Sequence, residues 1–331
     1  MSVLTVAMKR NPLARRLVSG QVMALVTFAT IIVLSLVAAA RAPGFRTAAN
    51  IDDILRASVG LGLASIGQML VILVAGIDLS VGAVAKLSEM IAAIIMNGKP
   101  ALVVPAVAAV LAIGLLVGAV NGLLVTRLRI APFIATFGMY GLLHGIAFLI
   151  SSSPVGLAAP SVANLYIVHT GPVYTLVLGF AIIAVLVWVF LARTATGRHV
   201  YAVGADAEVA RLAGIRVDLL RVGVYMACGV FAALAGLFLL SRSGIGDPTL
   251  GDSYQFDSIT AAVLGGTSLA GGRGGVVGTL GGVLLLSLIE NVFNLMQVDA
   301  SYQQLLEGAI LLIAFSLYVQ RKYAGGERGQ V

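Results

Sequence analysis

Few residues in this chain carry chemistry, and most of those that do stand inside or beside long apolar runs. Asp78 lies in Gly76-Ile-Asp-Leu-Ser80-Val-Gly82. Lys86 and Glu89 follow, and Asn121, His144, Glu290, Asn291 and Glu307 come later. An ionisable group within a bilayer is costly and faces the bundle interior or a wet cavity, so such residues line or gate a path. Each also has a plainer use. Lys86 and Glu89, three apart, share a helix face and can pair there; Asp78 and Glu307 can sit near an interface; a lone His144 can simply pack. Catalysis has no such footing. His144, His169 and His199 fall on different segments, and no nucleophile has a local signature of an orienting base. The single cysteine, Cys228, excludes a disulfide within the chain, and no Cys/His spacing suits a metal. A P-loop needs Gly-Lys followed by Ser or Thr; here Pro100 follows Gly98-Lys99. The chain therefore offers no ATP site, and hydrolysis, if it drives the protein, belongs to another subunit.

The elements that hold these residues are set by composition. Of 331 residues, 60% are hydrophobic and 11% charged, against about a quarter charged in a soluble domain. Residues 21–40, 57–77 and 101–125 carry no charge, and about 20 apolar residues in a helix cross a hydrocarbon core of roughly 30 Å. The basic start, with Lys9, Arg10, Arg15 and Arg16, leads into an apolar run too long for a signal peptide, so that run reads as a retained span. The expected fold is an all-α polytopic membrane protein of ten transmembrane helices: 21–40, 57–77, 79–97, 101–125, 132–150, 172–192, 222–240, 257–272, 276–297 and 303–320. The eighth is short and glycine-rich, so it reads either as a crossing or as a re-entrant element.

Charge favours the crossing. With a cytoplasmic N-terminus and ten crossings, Arg41, Arg46, Arg56, Lys99 and Arg242 lie outside and Lys86 lies within a span. The other fifteen of the 21 Lys and Arg then lie inside, as the positive-inside rule asks. Both termini are then cytoplasmic: a tail 1–20, a transmembrane domain 21–320 and a tail 321–331. The net charge of +7 is accounted for by these inner loops, with no need of nucleic acid. Tyr166, Tyr174 and Tyr302 near one face, and Trp188, Tyr318 and Tyr323 near the other, suit interfacial belts.

Glycine supplies the next pattern. Gly114, Gly118 and Gly122 recur every fourth residue, as do Gly274, Gly278 and Gly282, and Gly141 and Gly145 repeat the spacing. Small residues on one helix face let backbones approach closely in lipid, which predicts a compact bundle. Two glycine clusters differ from this background. Gly76–Gly82 and Gly266-Thr-Ser-Leu-Ala270-Gly-Gly272 share a Gly-x-x-Leu-small-x-Gly pattern, and each interrupts an apolar stretch. Helix breaks at membrane depth persist where protein or a water-filled cavity satisfies the free backbone, and paired breaks in two halves point to a transport pathway.

The longest inner segment is 193–221. Asp206 can cap a short helix in which Val209, Leu212 and Ala213 form an apolar stripe, with Gly214 ending it. Such a helix suits either docking of a soluble partner or an ordinary loop.

On these residues the chain resembles the membrane permeases of ribose-type ABC sugar importers. Glu208-Val-Ala210-x-x-x-Gly214 is similar to the Glu-Ala-Ala-x-x-x-Gly coupling motif of bacterial importers, within a loop whose Gly197, Arg198, Tyr201, Gly204 and Asp206 resemble the sugar-permease version. Gly76–Gly82, then Asn121-Gly122 with Pro132-Phe-Ile-Ala-Thr136-x-Gly138, then Leu264–Gly274 with Gly278, resemble three further family signatures in order, over roughly residues 57–320. The resemblance implies two permease subunits, a second copy or a paralogue, forming one pathway in the bacterial inner membrane. It implies an ABC ATPase subunit that binds ATP and Mg and docks on 193–221, and a periplasmic sugar-binding protein delivering a monosaccharide. The chain itself is then no enzyme and holds no cofactor. Candidate pathway or gating residues are Asp78, Ser80, Lys86, Glu89, Asn121, Thr136, Thr267, Ser268 and Asn291. The sequence departs from the family pattern at Val209, Asp206, Gln255, Lys86 and Glu89; the first two hardly touch docking, and the last two bear on the choice of substrate. Nucleosides or branched-chain amino acids on the same fold, and an ion-coupled transporter using Asp78 or Glu89, are the competing readings.

Overall fold

A computed structural model describes residues 20–171 and 173–299, with 301, 302, 305, 308, 309 and 312. Apart from Gly20 and those scattered positions, the tails 1–20 and 321–331 and the expected span 303–320, with Glu307, lie outside the described residues. Among the described residues, twelve α-helices follow one another: α1 Gly20–Arg41, α2 Ala48–Leu73, α3 Val81–Met96, α4 Val103–Thr126, α5 Pro132–Ile150, α6 Pro160–Ala163, α7 Thr175–Arg193, α8 Ala195–Ala205, α9 Ala207–Leu212, α10 Val217–Ser243, α11 Tyr254–Leu264 and α12 Val276–Leu295. Among the described residues, a two-residue hairpin, β1 His169–Thr170 with β2 Val173–Tyr174, departs from the all-α expectation.

Seven described helices, α1, α2, α4, α5, α7, α10 and α12, are long and apolar enough to cross a membrane. The expected spans 79–97 and 257–272 are shorter than that. α3 has 16 residues and α11 only 11, and at 1.5 Å per residue α11 covers about 17 Å. In the eighth segment the helix ends at Leu264 instead of running to 272, because the chain leaves helical geometry at Gly265–Gly266. The freed Leu264 carbonyl accepts from the Thr27 hydroxyl of α1 at 2.5 Å.

The centre of the bundle is α2, α3 and α10. α2 is buried without interruption from Ser58 to Leu73, and α3 from Val81 to Met90. Helices hydrophobic on all sides take such positions. α1, α4, α5 and α7 expose long apolar side chains at the rim, among them Leu36, Leu116, Leu142 and Leu186. In water this surface would be untenable; in lipid it is the outer wall.

Gly114, Gly118 and Gly122 on α4 lie against the α10 backbone at Gly229, Tyr225–Met226 and Val222, where any Cβ would collide. Gly278 and Gly282 on α12 meet Gly265 and Ala261 of α11 in the same way. Gly274 does not belong to that helix face: it precedes α12, with φ 135°, and packs on Thr267. Gly141 and Gly145 have nothing within 4 Å of a Cβ and face outward from the bundle. Spacing told which residues share a face, not which face meets a neighbour. A Gly118→Leu chain should therefore lose about 1–3 kcal/mol or more through overpacking, whereas Gly145→Ala should stay within about 0.5 kcal/mol. Unfolding of the detergent-purified chains reads the difference directly.

Candidate functional site

Between α2 and α3 the Val74, Ala75 and Gly76 N–H groups turn back on Val71 and Ile72, and over Ile77–Leu79 side chains take over. Ala75 turns the chain with φ 60°, an uncommon value outside glycine, and the Gly76 N–H returns to Val71 O at 2.9 Å. The Asp78 carboxylate accepts from the Ser80 N–H at 2.9 Å and the Ser80 hydroxyl at 2.6 Å, and the Asn121 amide of α4 lies 3.4 Å away. Asn121 also donates to Ser80 Oγ at 2.9 Å. Thr136 of α5 accepts from the Leu79 N–H at 3.0 Å and lies 3.2 Å from Ile77 O. The buried Gln68 amide, oriented to satisfy both of its ends, donates to Asp78 O at 2.9 Å and accepts from Asp78 N at 3.2 Å. Asp78, Ser80, Asn121 and Thr136, drawn from three separate sequence regions, thus meet at one break. Gln68 was missed: one amide in an apolar helix carries no local signal of its partner.

The second break, between α11 and α12, meets the first. The Gly272 N–H donates to Leu73 O, the last residue of α2, at 2.9 Å. Gly271 and Gly272 adopt φ 84° and 68°, and a Cβ on either would press into Ala75 or Ala205. Only glycine suits both the turn and the approach. Thr267 lies 3.4 Å from Thr279 of α12 through their hydroxyls, and the Ser268 N–H donates to Arg273 O at 2.8 Å.

The loop 193–221 closes over this junction. Thr194 caps α8 by accepting from the Gly197 N–H at 3.0 Å, and Gly197 rests on the end of α7 where no side chain fits. At the far end of α8, Gly204 is wedged between Leu73 O and Gly272 N. Tyr201 donates its hydroxyl to Gly274 O at 3.1 Å; burial raises its phenol above the ordinary value, so it remains a donor. One helix therefore touches both breaks. Asp206 caps α9 through the Glu208 and Val209 N–H groups at 2.9 and 3.0 Å, Ala210 is buried, and Gly214 ends the turn with φ 85°. Arg198 of α8 is exposed, and Glu208 pairs with Arg211 at 2.5 Å. The stripe expected on α9 points outward: Val209 is 61% and Leu212 88% exposed.

Three of the expected residues behave differently. Lys86 and Glu89 do not pair with each other. The Lys86 ammonium, wholly buried, binds Asp252 Oδ2 at 2.6 Å and lies 3.2 Å from His144 Nδ1, while Glu89 accepts from the Ser243 hydroxyl at 2.9 Å. Asp252 was missed because it sits in the connection between α10 and α11, 166 positions from Lys86. Asn291 does not join the breaks: it exchanges amide hydrogen bonds of 2.8 and 3.1 Å with Asn50, tying α12 to the start of α2.

Apolar rim helices, two interrupted central helix pairs and a buried polar junction define a polytopic α-helical membrane protein. Residues 50–315 match the family described as branched-chain amino acid transport system / permease component. The chain is 38% identical to the ribose import permease protein RbsC of Escherichia coli K12 over 289 residues, 86% of this chain and 90% of that one. It is 38% identical over 300 residues to the protein of that name from Bacillus subtilis 168, covering 88% and 91%. The fructose import permease protein FrcC of Rhizobium meliloti is also 38% identical, over 302 residues covering 87% and 83%. No solved structure matches. The chain belongs to this family of transport permeases.

Lys86 gives a direct test. Asp252→Ala leaves a buried ammonium without its carboxylate and should cost about 3–5 kcal/mol. Adding Lys86→Met should recover more than about 1 kcal/mol of that loss, read as unfolding of the purified double variant against the single ones.

Proposed function

We infer that this chain is the membrane-spanning subunit of an ATP-binding-cassette importer and passes a monosaccharide across the bacterial inner membrane. The contact that carries this reading is Gly204 of α8, held between Leu73 of one break and Gly272 of the other. A push on the inner loop reaches both interrupted helices through rigid backbone, without an intervening flexible side chain. Two discrete arrangements of such a junction are what alternating access requires. The sugar as cargo is supported by the ribose and fructose import permeases among the relatives. Branched-chain amino acids, named in the family description, and nucleosides receive no such support from them.

In this reading ten segments cross, both termini are cytoplasmic, 21–320 form the transmembrane domain, and 193–221 is the docking loop. Two copies, or this chain and a paralogue, enclose the path. An ATPase subunit seats on α9, whose exposed Val209 and Leu212 offer an apolar anchor ringed by Glu208 and Arg211. That subunit holds ATP and Mg, and this chain holds neither. A periplasmic binding protein delivers the sugar from the other side.

Asp78, Ser80, Asn121 and Thr136 would then keep the first break shaped while the junction moves, with Thr267 and Ser268 doing the same for the second. Two variants separate docking from transmission. Glu208→Arg should abolish co-purification of a P-loop ATPase. Gly204→Leu should keep the ATPase bound but lower sugar-stimulated ATP hydrolysis by about tenfold or more, within the usual range of coupling energies. Wild-type chain that brings down no ATPase, with uptake surviving ATP depletion, would remove the importer reading in favour of ion coupling.

A further inference from the structure

Along α5 runs a continuous line of rings that the docking and break contacts leave unused. Phe133 stacks on Phe137 with centroids 6.0 Å apart, Phe137 on Tyr140 at 6.0 Å, Tyr140 on His144 at 5.3 Å, and His144 on Phe148 at 4.9 Å. Spacings of three and four residues put all five on one helix face, over about 22 Å of helix. Phe133, Phe137 and Phe148 are exposed. Beside them Gly138, Gly141 and Gly145 leave the helix surface bare, with nothing within 4 Å of a Cβ.

Two observations say that this face meets neither lipid nor a dry partner. The first is the ion cluster midway along its outer half. Lys86 lies beneath, its ammonium 5.3 Å from the Phe148 centroid and bonded to Asp252 at 2.6 Å. The side chains of His144 and Asp252 are 35% and 38% exposed on that same face. Asp252 Oδ1, 3.6 Å from His144 Nδ1, is itself covered and accepts no hydrogen bond among the described residues. His144 is six residues from the end of α5, about 9 Å below it. Ionisable groups at that depth face a wet cavity, not hydrocarbon. The second is where the line leads. Phe133 and Phe137 flank Thr136, which holds the Ile77–Leu79 backbone of the first break. The rings therefore connect the outer ion cluster to the junction that the docking loop grips.

We propose that the α5 ring line, with Asp252 and His144 at its outer end, is the surface along which the sugar moves. The proposal rests on the importer reading. A sugar ring carries C–H bonds on its faces and hydroxyls around its edge. The C–H face suits the electron-rich face of a stacked aromatic. The hydroxyls suit the partly exposed His144 ring and Asp252 carboxylate. Sites for small polar molecules are commonly built this way, mostly aromatic with a few placed polar groups. A ladder of similar rings offers successive footholds of similar depth, so that a sugar is held without being trapped, while the ion cluster orients it on entry.

The test uses the full chain with its importer partners in cells, and a membrane-impermeant cationic methanethiosulfonate as the thiol probe. Cys228 is buried, so the wild type sets a low background. Phe137→Cys and Tyr140→Cys should react, and saturating D-ribose, D-fructose or L-arabinose, whichever the wild type takes up, should slow the reaction about threefold or more by occupancy. Leu142→Cys, on the opposite apolar face, should not react. Phe137→Ala and His144→Gln should lower uptake by about tenfold or more at unchanged membrane abundance, and Leu142→Ala should leave it unchanged. Positions 137 and 140 as unreactive as 142 would place the rings against lipid or a sealed interface and overturn the proposal. Reaction that the transported sugar does not slow would overturn the sugar as occupant. If the wild type takes up none of the three sugars, the importer reading itself fails and the sugar goes with it, while labelling still shows whether the line borders water.

Discussion

A helix interrupted inside a membrane leaves backbone N–H and C=O groups that neither lipid nor the helix can satisfy. This chain interrupts two, and it satisfies each partly with the other: the Gly272 N–H of the second break donates to Leu73 O at the edge of the first. The remaining backbone groups draw in Gln68, Thr136, Thr27 and Tyr201 from four different helices, and the Asp78 carboxylate that holds the Ser80 N–H is itself met by Asn121. Because an unmet polar group in a low-dielectric interior costs more than a made bond returns, the breaks fix where their neighbours sit. α2, α3 and α10 form the centre because the breaks must be enclosed, and α4 crosses α10 through glycines because the enclosure must be tight.

The same constraint makes the junction a point of transmission. Gly204 sits where no side chain fits, between the two breaks, at the end of the helix that leads into the exposed α9. A partner bearing on α9 cannot shift α8 without disturbing Leu73 and Gly272 together. Packed interfaces of this kind switch between arrangements instead of deforming by degrees. The ring line of α5 passes Thr136, which holds the first break, so a shift of that break also moves the proposed sugar track. The loop 193–221 and the two breaks thus share a few backbone contacts.

Much of this was legible in the sequence where the signal is local. The long spans follow from length and lack of charge, the two breaks from glycine clusters in apolar stretches, and the capped α9 from Asp206 and Gly214. What failed was long-range. Lys86 was matched to Glu89 because three residues on a helix is a distance that a sequence displays; its partner Asp252 belongs to another connection. Gly141 and Gly145 looked like packing residues because the spacing is that of packing, yet their face is open. Gly274 continued a four-residue rhythm that the chain itself breaks at the second junction. Asn291 is an apolar-helix amide like Asn121, and nothing in its surroundings tells that it clasps Asn50 instead of a break. The apolar stripe of α9 was read correctly as a stripe, but only the fold shows that it is turned away from the bundle.

The most direct test of the account is hydrogen exchange across the junction in the assembled importer, in lipid nanodiscs, without nucleotide and with vanadate-trapped nucleotide. Segments 71–78, 201–206 and 265–275 share one set of backbone contacts, so the account predicts that their exchange changes together on trapping. Change confined to 201–206, with 71–78 and 265–275 as slow as before, would contradict it, since the loop would then move without the breaks it is said to drive.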